Sequence, residues 1–199
     1  MTRSTLTRAL FLVPPLVAFL ASSREAQAQE TDETSAAPAP LRIGVAGTLG
    51  YGSVHRSSSS PAEEGATAIG GELRVQPYSA HGFTLAYTYA EGIFGPRVSI
   101  ADATYSLRVL GSRRLTGVTG ALYLDLGPSV GCVSHAPPGP DHTVVGGRVS
   151  AAADMQIWNF TIGPVLAYRG GVPLSGPPDG WEGAVTLLLR AGFAFDADR

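Results

Sequence analysis

The chain has 199 residues, 44% hydrophobic and 15% charged, with a formal net charge of −2 at pH 7. A balance this close to neutral carries no nucleic-acid footprint, and a single cysteine, Cys132, excludes the internally disulfide-stapled class of small secreted scaffold. No lysine is present, so every basic side chain is Arg.

In chain order, Arg3 and Arg8 precede an apolar run from Leu10 to Ala21, followed by "AQA" at Ala26 to Ala28. That order predicts a secretory signal peptide over 1–28, cut after Ala28. About 12 apolar residues interrupted by Pro14 and Pro15 fall short of the roughly 20 that a spanning helix needs, and no later segment is long and apolar enough. Cleavage also removes Arg24 and Glu25, leaving eleven Arg against fifteen acids, a single-domain length with net charge −4. Residues 29–40, "QETDETSAAPAP", are acidic and then rich in Ala and Pro, which predicts a flexible periplasmic lead-in.

From Leu41 the texture becomes alternation with period two, and no stretch shows a capped 3.6-residue period. Eight runs follow: from Leu41 to Val54, roughly Ala68 to Tyr78, Phe83 to Ala90, Val98 to Leu110, Leu115 to Val130, Val144 to Trp158, Phe160 to Arg169, and Trp181 to Phe195. In the last, Val185, Leu187, Leu189, Phe193 and Phe195 share one parity, and Glu182, Thr186, Leu188, Arg190 and Ala194 the other. The fourth run slips parity near Ile100 and Ala101, which predicts a bulge there. The domain prediction is therefore a barrel over 41–196 with a tail at 197–199.

Alternation does not say which face is inside. A soluble sandwich turns its apolar face inward, whereas a membrane barrel turns it to lipid. Three features favour the inside-out arrangement. Short joints ("YSAHG" at 78–82, "GSR" at 111–113, the single Asn159) alternate with long ones, "RSSSSPAEEG", "CVSHAPPGPDH" and "GGVPLSGPPDG", while Glu91 to Arg97 is the shortest on the long side. Aromatics collect at both ends: Tyr78, Phe83, Trp158, Phe160, Phe193 and Phe195 by the short turns, and Tyr51, Tyr89, Phe94, Tyr168 and Trp181 by the long loops. Trp158 has the wrong parity for an outer face but abuts a turn.

The polar face supplies the third feature. It is built from Gly, Ala, Ser and Thr with isolated charges, unlike a water-facing strand with many long charged side chains. Arg42, Arg74, Arg108, Arg148, Arg169 and Arg190 share it with Glu72, Asp102, Asp125, Asp154 and Glu182. Such groups can pair into a lumen network, and burial is tolerated only when they do. An Arg facing lipid at mid-membrane would cost about 2–4 kcal/mol.

With Phe193 and Phe195 closing the last run, residues 41–195 resemble the small eight-stranded outer-membrane β-barrels: the membrane domain of outer-membrane protein A and its adhesin-like and OmpW-like relatives. The resemblance implies an all-β, antiparallel up-and-down barrel in the bacterial outer membrane. It also implies contact with outer-membrane lipid and recognition of the terminal aromatic by the barrel-assembly machinery. Four residues, Asp196 to Arg199, follow Phe195 here, a departure from that family ending. The resemblance is architectural, with no family motif from which a functional residue carries over.

Chemistry-bearing clusters are few. Cys132, His135, Asp141 and His142 share one Pro-studded loop at no usual metal-ligand spacing. Ser134 adjoins His135, but neighbours in a strand point to opposite faces and share no proton. Gly44, Gly47, Gly50 and Gly52 lie in a strand with no helix after them, unlike a phosphate loop. The expectation is a non-enzymatic barrel without cofactor or metal, its lumen plugged by charge pairs and its role structural or surface-contacting. The alternatives are a narrow conduit for small or apolar solutes, a lipid-modifying enzyme and a soluble exported barrel.

Overall fold

The computed structural model describes residues 41–56, 64–77, 80–92, 97–111, 118–134, 142–174 and 182–197, with side chains except at 54–56, 64, 182 and 197. They belong to the unit Ala39–Arg199. The proposed signal peptide and lead-in, Tyr78, Phe94, Trp181, His135, Asp141, residues 198–199 and the side chain of Glu182 lie outside the described residues.

Eight strands run in order: β1 Leu41–Arg56, β2 Glu64–Gln76, β3 His81–Gly92, β4 Arg97–Gly111, β5 Val118–Ser134, β6 His142–Ile157, β7 Phe160–Pro173 and β8 Glu182–Ala197. Each pairs antiparallel with the next, and β8 closes on β1 from Leu41↔Ala197 to Arg56↔Glu182. Closure pairs the backbone of the two strands that would otherwise be sheet edges. The alternation predicted from sequence becomes alternation through the wall. Leu187 is 59% exposed on the outside, whereas Arg190 is 3% exposed in the lumen.

Two expectations change. The register of β4 against β5 runs unbroken from Arg97↔Ser134 to Asp102↔Ser129, so no bulge sits at Ile100. The parity slip arises because Val98 and Ile100 are apolar residues on the inward face. The real irregularity lies between Arg108 and Leu110, where Val109, expected outside, is buried and Leu110 is exposed.

Second, several strands outrun the alternation: β5 reaches Ser134 and β7 reaches Pro173. β4 runs to Gly111 and β5 from Val118, whose partner is Ile157 at the Trp158–Asn159 turn; the expected start of β5 at Leu115 and the rest of the expected short joint at 111–113 lie outside the described residues.

Trp158 is 81% exposed and has φ 54°, the positive value that a two-residue hairpin loop demands at one or both of its residues. Its apparent parity error is therefore the turn itself. Cys132 lies exposed, with Thr143 its Cα partner on β6, while His142 shares the inward parity of Val144 and Arg148. Those two residues of the Cys132–His142 stretch thus point to opposite sides of the wall.

Candidate functional site

Eight strands leave a lumen just wide enough for side chains, and charged residues from six of them fill its middle. The larger group lies toward the 77–80, 112–117 and 158–159 end. There, Arg190 of β8 bonds both Glu72 of β2 and Asp154 of β6. Arg74 of β2 reaches Glu72 at 3.1 Å, Asp125 of β5 at 3.4 Å and Asp154 at 3.7 Å. Its guanidinium also lies 4.0 Å from the ring centroid of the inward Tyr123, a cation–π contact in a desolvated setting.

Toward the other end, Asp102 of β4 accepts from Arg148 Nη1 of β6 at 3.1 Å and from Arg169 Nη2 of β7 at 2.7 Å. Arg169 Nη1 donates to Thr186 at 3.2 Å and Nη2 to Thr88 at 2.9 Å. Ser150 joins the groups: Arg148 Nε donates to Ser150 Oγ at 3.2 Å, and that hydroxyl donates to Asp125 at 3.0 Å. Arg74 Nε donates to Thr84 Oγ1 at 3.1 Å. Four guanidinium groups and four carboxylates, all but Asp154 buried, are thereby held in one connected network. Arg suits this because its planar fork serves several acceptors at once.

The remaining sequence-predicted charges behave differently. Arg42 is half-buried at the short-turn end, where its Nη2 donates to Gln156 Oε1. Arg108 forms no ion pair among the described residues, and its buried Nε has no hydrogen-bond partner. Thr84, Thr88, Ser150, Thr186, Gln156 and Tyr123 were not singled out from sequence. Their inward parity in runs already carrying charges was the available signal.

The outer wall carries the aromatics. Phe160 and Phe193 pack edge to face at 5.7 Å, and Phe193 stacks with Phe195 at 6.4 Å. Phe83 meets Tyr105 edge to face at 6.1 Å. Tyr105, unassigned by the sequence, thus joins the band at the short-turn end because Phe83 is its cross-strand partner. Tyr51 and Tyr168 lie outside at the opposite end with the half-buried Tyr89, which donates to Glu91 at 2.9 Å.

No family model matches the chain, and no curated protein matches it. Solved structures do. Neisserial surface protein A superposes with a TM-score of 0.53 at 13% identity over 76% of this chain and 97% of that one. The N-terminal β-barrel domain of Pseudomonas aeruginosa OprF gives 0.51 at 12% identity over 77% and 97%. Ail, the attachment invasion locus protein of Yersinia pestis, gives 0.49 at 13% identity over 78% and 99%. At such identity the likeness is one of fold: this chain has the closed, eight-stranded, antiparallel up-and-down architecture of the small outer-membrane barrels.

Proposed function

We propose that this protein is exported through a cleaved signal peptide and spans the bacterial outer membrane as a plugged barrel. Its role is structural or surface-contacting rather than catalytic. The observation that carries this reading is the inside-out wall. Val45, Leu49, Ile69, Leu85, Leu126 and Leu189 are exposed all round the exterior, while Arg74, Arg148, Arg169 and Arg190 are buried within. In water that arrangement would leave a continuous apolar belt solvated, whereas in lipid it places each group in its preferred medium. The outer-membrane fold of the structural relatives supports the same location. The charge network supports a plug over an aqueous conduit, since its members bond across the lumen from β2 to β5, β6 and β8. Phe193 and Phe195 in β8 are the features that the barrel-assembly machinery would recognise.

Heat-modifiable migration on a detergent gel, combined with cell fractionation and N-terminal sequencing, tests the reading. The expected result is an outer-membrane species that begins at Gln29 and shifts mobility on boiling. A soluble species with no heat shift overturns it.

A further inference from the structure

Three ion pairs of the lumen share one geometry: each ties two strands that are not neighbours, over the strand between them. Arg148 of β6 reaches Asp102 of β4 over β5, where their cross-strand partners are Gly127 and Ser129. Arg190 of β8 reaches Asp154 of β6 over β7, where its partner is Gly163. The same Arg190 reaches Glu72 of β2 over β1, where Arg190 is paired with Thr48 and Glu72 with Ala46. Second-neighbour strands lie roughly 10 Å apart. A long Arg and an acid cover that span together only where the inward side chains between them are short. The Gly, Ala, Ser and Thr residues on β1, β5 and β7 supply that clearance.

The three links differ in when they can form. β4, β5 and β6 are consecutive in the chain, as are β6, β7 and β8, so the Arg148–Asp102 and Arg190–Asp154 pairs are available to an open sheet. β8 comes within reach of β2 only once it has paired with β1. The Arg190–Glu72 pair is therefore specific to the closed barrel. It spans the one seam whose two strands are not consecutive in the chain, and its side chains are only 3% and 4% exposed. Arg74 and Arg169 also bond distant strands, but those contacts join opposite walls, whereas Arg190 and Glu72 flank the seam itself. The guanidinium of Arg190 is divided between its two acids: Nη1 donates to Glu72, and Nε and Nη2 donate to Asp154.

We propose that Arg190 is a seam latch. One side of its fork is anchored on Asp154 within the continuous sheet, and the other captures Glu72 over β1 when the barrel closes. β8 is thereby fastened at the seam by a buried ion pair as well as by backbone hydrogen bonds, a task that suits the planar, multi-donor guanidinium. When the Glu72 contact is lost, the β1–β8 seam is where the barrel opens. This inference concerns closure and does not rest on the outer-membrane reading.

Native-state hydrogen exchange of the full chain in detergent micelles, at urea concentrations below the unfolding transition and read by NMR at single residues, tests the latch, because it separates local from global opening. E72Q and D154N each leave Arg190 one carboxylate, but only E72Q removes the partner beyond the seam. In E72Q, amides bonded between β1 and β8 around Ala46↔Gly192 and Thr48↔Arg190 should exchange about tenfold faster relative to those between β3 and β4 around Ala86↔Asp102. In D154N the two groups should keep the ratio of the parent. E72D, which keeps the charge but withdraws it by one methylene, should show the same selectivity at smaller amplitude, and it carries the test if E72Q does not assemble. Equal acceleration at both places in the Glu72 variants overturns the proposal, since the pair would then contribute only to overall stability. So does a seam-selective rise in D154N as large as that in E72Q.

Discussion

Asp102 has no exposed side-chain surface and accepts from two guanidinium groups that are themselves buried. D102N keeps the shape but leaves Arg148 and Arg169 facing each other without a counter-charge. The expected loss is about 3–5 kcal/mol, the usual cost of breaking a buried pair, read as a lower urea midpoint in detergent. The Glu91–Arg97 pair has side chains 46% and 67% exposed, so R97A should change the same midpoint by at most about 1 kcal/mol. Equal effects would mean that water reaches the Asp102 cluster. On the other side of the wall, L187R places an Arg against lipid and should cost about 2–4 kcal/mol. That Asp102, Arg148 and Arg169 face inward was legible in strand parity. Their mutual pairing was not, because parity assigns a face and leaves partners undetermined.

Among elements, the sequence was most legible where one face is polar and the other apolar, and least where both are apolar. The ends of β5 and β7 show why. In Gly131–Ser134 and Gly170–Pro173 the inward face carries Gly, Val and Pro, so the period-two signal stops although the strand continues. Glycine usually punctuates structure, which made these stretches look like loops. Here several glycines mark close approach of neighbouring strands. A Cβ at Gly163 would lie 1.7 Å from the Ala153 carbonyl oxygen, whereas at the outward Gly71 the nearest atom, the Ala46 carbonyl oxygen, is 3.8 Å away. G163A should therefore force β6 and β7 apart at a cost of about 1–3 kcal/mol. G71A should be neutral or stabilising by up to about 1 kcal/mol, since it restricts the unfolded chain. Urea midpoints of the two variants, compared with the parent, check both signs.

At the scale of the whole molecule, the proposed reading is that the network plugs the barrel. Planar bilayers containing the purified protein are expected to show no reproducible unit conductance; steps of constant size would mean that the Arg74–Asp125–Asp154–Arg190 group opens, and the conduit reading would replace the plugged one. The sequence by itself determined eight strands and, outside the irregularity at Arg108–Leu110, the face that each described residue takes, because period two and side-chain chemistry are local properties. Only the tertiary structure decided that Arg190 meets Glu72 and Asp154, that Arg42 donates to Gln156, and that Val98, Val133 and Val144 gather into one apolar cluster. Those neighbours come from strands far apart in the chain. Closure of β8 on β1 and the stagger of the register set which inward side chains share a level, and no short stretch of residues encodes that.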